Sequence, residues 1–162
     1  MDITVQLDDP NAPDARALLE AAHELMQSLF PEKPPRAPLI APLTAPEARF
    51  FTARMDQRAV GCCALILHHG FAEIKRMYVA PGARGQGIAL GLLKSVERTA
   101  RLEGHNLLKL ESGALLTGAH RLYVRHGFVP CGAFGNHCPS AASLFMEKHL
   151  GDPALPPRSS SG

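Results

Sequence analysis

No apolar run in the sequence comes near the roughly 20 residues that a membrane-spanning helix requires. Its first residues, "MDITVQLDD", lack the basic stretch followed by an apolar segment that marks a secretory signal. Both absences make a cytoplasmic protein, without a membrane partner, the expectation. An excess of one charge is missing too. The 17 Lys and Arg face 15 Asp and Glu, a net of +2, which offers no broad field for nucleic acid and confines any anion site to a local cluster. The four cysteines (Cys62, Cys63, Cys131, Cys138) form no CxxC pair, and Cys62-Cys63 sits in an apolar run suited to a buried strand. The eight histidines include no HExxH, so no metal is expected and the histidines read as solvated or capping groups.

What is there fits one domain in length, expected over residues 1–150, with a Pro/Ser-rich tail at 151–162 that reads as disordered. A short strand is expected over Ile3 to Leu7. Next comes a helix opened by Pro13-Asp14, whose Leu18, Ala22, Leu25, Met26 and Leu29 share one face. Six prolines crowd Pro31 to Pro46 and exclude a regular helix there; a loop of this kind often borders a binding site. "RFFTARM", "AVGCCALILHH" and "FAEIKRMYV" then read as an antiparallel meander joined at Asp56-Gln57 and His69-Gly70. A helix of about five turns is expected in "GQGIALGLLKSVERTARLEG", closed by Gly104. A strand in "NLLKLES", a short helix ended by Gly127, and strands in "FVPCGAF" and "SLFMEKHL" complete the sheet.

The turn in "RMYVAPGARGQGIALGLL" leads from a strand through Pro81-Gly82 to a helix. A dinucleotide fingerprint requires GxGxxG, and Leu90 stands where the third glycine belongs. A nucleotide P-loop requires Lys and Ser/Thr after its last glycine, and here Ile88-Ala89 follow Gly87. What survives is Arg84, two glycines that leave room for close approach, and a helix N-terminus whose first amides lack internal partners, an arrangement suited to phosphate.

With these residues in view the sequence resembles the GNAT superfamily of acetyl-CoA-dependent N-acetyltransferases. Arg84-Gly85-Gln86-Gly87-Ile88-Ala89 matches that family's Gln/Arg-x-x-Gly-x-Gly/Ala signature. "LYVRHGF", with Ala119, Leu122, Tyr123, Gly127 and Phe128, is similar to a second family segment. Narrower likeness, in "EIKRM" and "LESG", is to small bacterial members with varied acceptors, some carried as auxin acetyltransferases. One position departs: Leu116 stands where the family often has Asn touching the pantetheine arm.

The resemblance implies an α+β (α/β/α) fold, with a mixed, mostly antiparallel sheet of six to seven strands covered by helices on both faces. It implies acetyl-CoA as co-substrate, an amine of a small molecule or peptide as acceptor, and direct attack in a ternary complex; a homodimer is compatible with such a chain. Backbone groups of Met77, Tyr78 and Val79 would hold the thioester end at a bulge, and Arg84, Gly85, Gln86, Gly87, Ile88, Ala89 and Leu90 the pyrophosphate. An alkylammonium must lose a proton before it attacks. Glu73 is the candidate base, directly or through water, against the alternative of a strand-surface charge paired with Lys75 or Arg76. Tyr123 is the candidate acid for the leaving thiolate, against the alternative of core packing. Glu111 and Ser112 could face the gap where acceptors enter, and the loop from Phe30 to Leu43 offers Glu32, Lys33 and Arg36. A different class stays open at this point, a non-catalytic acyl-CoA-binding regulatory module.

Overall fold

The structure, a computed structural model, describes residues 2–31, 40–113, 116–135, 137 and 143–151. Glu32, Lys33, Arg36, Cys138 and the tail from 152 onward lie outside the described residues. Strands β2 (Ala48–Met55), β3 (Arg58–Leu67) and β4 (Ala72–Val79) form the expected meander, and β1 (Ile3–Leu7) pairs antiparallel with β2. Asp56 and Gln57 both take positive φ, 50° and 67°, the handedness that lets a two-residue turn follow strand twist. β5 (Leu107–Gly113) pairs parallel with β4, β7 (Ser143–His149) pairs antiparallel with β5, and β6 (Val129–Pro130) lies outside β7. The order is β1-β2-β3-β4-β5-β7-β6.

Alternation along the strands decides what each face buries. Phe50, Cys62 and Ala64 pack with Ala15, Leu18 and Leu19 of helix α1 (Pro13–Leu29). Their neighbours Phe51, Ala53, Cys63 and Leu65 point to the other face, against Ile88, Leu92, Leu93 and Val96 of α2 (Ile88–Leu102) and Tyr123 of α3 (Thr117–Arg125). The seven-stranded mixed sheet with helices on both faces is therefore the expected fold. Among the described residues no helix is long and apolar enough to cross a membrane.

Two element lengths differ from expectation. α2 has 15 residues, about four turns rather than five, because Gly85 and Gly87 take φ of +78° and +80° and cannot continue a right-handed helix. The strand expected in "FVPCGAF" shrinks to Val129–Pro130, where Pro130 lacks the N–H that a longer ladder would use.

The two halves of the sheet part company at one place. β4 and β5 pair only from Ala72↔Leu108 to Ile74↔Leu110. Beyond that, β4 follows β3 to Val79 and β5 follows β7 to Gly113. Residues 75–79 and 111–113 thus border a wedge between diverging strands.

Candidate active site

β4 carries an irregularity at the wedge. Cys62 pairs with Tyr78 and Ala64 with Lys75, so Arg76 and Met77 together oppose Cys63. This is a β-bulge, two residues against one. Arg76 takes a φ of 59°, in the left-handed region that a side chain disfavours. A buried thiol reinforces it. Cys62 Sγ donates to the Arg76 carbonyl at 3.5 Å, and burial pushes that thiol up to about 12, so it keeps its proton.

A cavity of about 230 Å³ lies behind the bulge. Glu73, Lys75, Arg76 and Met77 of β4 form one wall, and Glu111, Ser112 and Gly113 of β5 another. α1 supplies Leu19, His23 and Met26, followed by Phe30, and α3 supplies Ala119 and Tyr123. Gly113 permits this closure, since a Cβ there would stand 2.7 Å from the Phe30 ring and 3.3 Å from Met26 Cε. Ile40, within the Pro-rich stretch, also lines the cavity. Leu116, the departure from the family pattern, lies on the wall as well.

Glu73 is 3% exposed, which corrects the alternative of a strand-surface charge. Two histidines are its hydrogen-bond partners. Oε1 accepts from His68 Nε2 at 2.9 Å and Oε2 from His137 Nε2 at 2.8 Å, and Lys75 Nζ, the expected ion-pair partner, lies 4.0 Å from Oε2. His137 Nδ1 lies 3.0 Å from Glu111 Oε2, so one imidazole bridges two carboxylates. The expectation of solvated or capping histidines therefore fails for His68 and His137. Aromatic rings prop both: His68 stacks on Phe71 with centroids 4.6 Å apart, and His137 meets Phe134 edge-on at 5.1 Å. No local signal pointed to this cluster, because the Glu73–His137 contact spans 64 residues of sequence. Among the described residues no group of three or more His, Cys, Asp or Glu is arranged to hold a metal.

Tyr123 is 4% exposed and packs edge-on against Phe128, with centroids 5.5 Å apart. Two bonds fix it from the end of α3. Gly127 N–H donates to Val124 O and Phe128 N–H to Tyr123 O, with Gly127 at φ +93°, a Schellman closure that presses Phe128 onto Tyr123. Burial, with the neighbouring Cys63 adding to it, holds the phenol well above its ordinary value and therefore protonated. Core packing and a position on the cavity wall are thus both true of this residue.

The glycine turn sits outside that cavity, at the outer end of β4. Arg84 Nε donates back to Val79 O at 3.1 Å, and its guanidinium lies 5.9 Å from the Tyr78 ring centre. A Cβ at Gly85 or Gly87 would meet nothing within 4 Å, so these glycines are required by backbone conformation and the space above them is open. Gly87 caps α2 without any side-chain bond, which leaves the helix's first amides facing that space. Ile88 is 1% exposed, so only its backbone can meet a ligand, while Ala89 and Leu90 are half-buried. Gly61 lets this helix end sit close on the sheet, for a Cβ there would stand 2.9 Å from Ile88 Cγ2.

The structure thus brings Glu73, Met77 and Tyr123 to one cavity and sets the turn 84–90 beyond it, with Tyr78 and Val79 between. A family model for the acetyltransferase (GNAT) family matches residues 15–128, which include every one of these residues. The chain belongs to the GNAT family.

Its relatives agree over nearly the full length. An IAA acetyltransferase of Azospirillum brasilense is 35% identical over 150 residues, covering 91% of this chain and 98% of the relative. The solved structure of a Klebsiella pneumoniae protein assigned to the acyl-CoA N-acyltransferases superposes with a TM-score of 0.78 at 32% identity, covering 91% and 97%. A PaiA N-acetyltransferase from Thermoplasma acidophilum, solved with coenzyme A, reaches 0.70 at 18% identity, covering 92% and 99%, and shares the fold. This GNAT chain is an acyltransferase, and acetyl transfer is its reaction class.

Proposed function

We propose that this chain is an N-acetyltransferase that passes acetyl from acetyl-CoA to an amine of a small molecule or peptide, by direct attack in a ternary complex. The observation that carries the reading is a buried carboxylate, Glu73, opening on the same cavity as the bulge at Arg76-Met77 and the protonated Tyr123. The coenzyme A bound to the structural neighbour from Thermoplasma supports the choice of co-substrate.

In this reading the open, positive-φ turn at Gly85 and Gly87 and the first amides of α2 take the pyrophosphate, with Arg84 alongside. The rest of the co-substrate runs along the wedge between β4 and β5. Leu116 offers it an apolar wall and no side-chain hydrogen bond, so polar contact falls to the backbone of Met77 and Val79. An amide donor aimed at the thioester oxygen as charge gathers there contributes about 3 to 4 kcal/mol to lowering the barrier. Glu73 takes the proton from the acceptor, and Tyr123 gives its own to the departing thiolate. The acceptor enters over α1, where Leu19, Met26 and Phe30 offer apolar contact and Glu20 and His23 polar contact, with Lys75 of β4 on the same cavity.

The reading also places the reaction in the cytoplasm. It is tested by following free-thiol release from acetyl-CoA across amines, amino acids, polyamines and peptides. Turnover with at least one amine class is expected. A thermal-shift comparison tests the co-substrate: at 100 times its Kd, acetyl-CoA stabilises by about 2.7 kcal/mol. A larger response to ATP or NAD would contradict the reading.

A further inference from the structure

The assignment of Glu73 as base leaves His137 unexplained. This residue comes from the connection between β6 and β7, yet its ring reaches the mouth of the wedge and spans two carboxylates on neighbouring strands. Glu73 pairs across β4 and β5 with Lys109, so Glu111 stands two residues further along the same face of β5. The two carboxylates thus face the same space, and like charges there repel unless something lies between them. His137 lies between them, with one ring nitrogen for each.

The ring itself is fixed on several sides. Phe134 meets it edge-on at 5.1 Å, and Phe145 is tilted against it at 5.9 Å. Phe134 is itself held by Phe71, Phe145 and the Lys109 ammonium, the last 5.4 Å from its centroid. A side chain gripped this way holds its hydrogen-bond partners in one geometry. A surface histidine drawn to a nearby carboxylate would not be built into an aromatic cluster.

We propose that His137 is a positioning residue for Glu73, held in turn by Glu111, so that the three side chains set the orientation of the base as one unit. The proposal rests on the reading of Glu73 as the base. In it, His137 fixes Glu73 Oε2 by donating to it while His68 holds Oε1, so each oxygen keeps one lone pair for an acceptor's proton. Glu111 selects the ring orientation by accepting from Nδ1, so in this unit both ring nitrogens carry protons and the imidazolium lies between the two carboxylates. Among the described residues, the other charged and titratable groups lining the same cavity are Glu20 and His23 from α1 and Lys75, Arg76 and Tyr123 from β4 and α3; His68, from the turn before β4, bonds Glu73 directly, and Lys109 Nζ lies against the Phe134 ring.

The test compares the native chain with Glu73→Gln, His137→Phe, His137→Gln, Glu111→Gln and the His137→Phe/Glu111→Gln double variant, using acetyl-CoA and the best amine from the panel. His137→Phe keeps the aromatic packing and removes both bonds, and its kcat is expected to fall by about 10- to 100-fold, the scale of a misplaced catalytic group. The KM for acetyl-CoA should stay within about twofold, because the turn at 84–90 is untouched. His137→Gln retains an N–H donor and should recover part of the loss. A double variant no worse than His137→Phe alone is expected for residues acting in series.

Native kcat in His137→Phe would overturn the proposal, as would losses that multiply in the double variant. Should the His137 variants fail to fold, ring-nitrogen NMR of His137 in Glu111→Gln decides: a changed Nδ1 signal is expected, and an unchanged one rejects the unit. The Glu73→Gln arm separates the two readings. If it keeps full turnover, the base assignment fails; if it loses turnover while His137→Phe does not, only the positioning role fails.

Discussion

Arg76 occupies a backbone conformation that costs a side chain roughly 1–2 kcal/mol, and the bulge it creates is the place where β4 stops behaving as an ordinary strand. Backbone and side-chain roles can be separated here. Arg76→Gly relieves the strain and should leave the urea midpoint equal to or above that of the native chain, whereas Arg76→Val, β-branched at positive φ, should lower stability by about 1–2 kcal/mol or more. An equal effect of the two substitutions in equilibrium unfolding would contradict a strained bulge. At this scale the sequence was legible where chemistry is local: Glu73 and Tyr123 could be singled out from their places in matched segments. His137 could not, because its partner Glu73 lies 64 residues away; His68 stands five residues before Glu73, but only the fold of the β3–β4 turn brings the two together. Glu73's burial was equally hidden, since "EIKRM" reads as a half-charged strand until α1, Phe30 and His137 are brought against it.

Among the elements, α2 and its glycine turn were the most legible, because the requirement is written in consecutive residues. Gly104 and Gly127, both read as helix ends, close α2 and α3 by the same pair of bonds: Gly104 N–H to Arg101 O and His105 N–H to Ala100 O in the first, with the equivalent pair at Gly127 and Phe128 in the second. The error in α2's length came from counting the glycines at 85 and 87 as helical when their φ values exclude it. The bulge was expected through family resemblance; no residue type in "RMYV" announces it. Gly87→Ala should cost about 1 kcal/mol of stability from the positive φ alone, because a Cβ there meets nothing. If the proposed pyrophosphate site is right, the same variant raises the KM for acetyl-CoA while leaving kcat less affected. A raised acceptor KM with an unchanged acetyl-CoA KM would place the co-substrate elsewhere.

Across the whole molecule, the sheet order and the wedge follow from pairings that sequence alone does not report. The meander β2–β4 was readable from its turns; the pairing of β1 with β2 and the insertion of β7 between β5 and β6 were not, for β1–β2 and β5–β7 join segments far apart in sequence. One polar cluster fastens the first strand and helix to this sheet. Arg54 bonds Asp8 at 2.8 Å and Asp14 at 2.7 Å, and Thr52 donates to Asp8 at 2.6 Å. Burial works to raise the Asp8 carboxyl, but the bonds from Arg54, Thr52 and the Asp9 amide outweigh it, and Asp14 is lowered chiefly by its bond to Arg54. Both therefore lie below the ordinary value of 3.8 in the folded chain. A depressed carboxyl contributes stability that is fully present above its unfolded value and is lost as pH falls through the folded one. Stability from this cluster should hold down to about pH 4 and decline below it, by a modest amount because Asp14 is largely solvated. Arg54→Gln should be less stable at neutral pH and show a shallower acid decline in urea titrations; an acid decline as steep as the native one would assign the loss to other groups.

The claim on which the account turns is that Glu73 is the base of an acetyl-CoA-dependent amine acetyltransferase, and it is tested most directly by the kinetics of Glu73→Gln. The amide keeps the shape of the side chain and can still bond His68 and His137, but it cannot take a proton. The account predicts acetyl-CoA binding within about twofold of the native chain together with a kcat lower by roughly 100-fold or more. Native turnover in Glu73→Gln, with the amine that the native chain acetylates best, would contradict it.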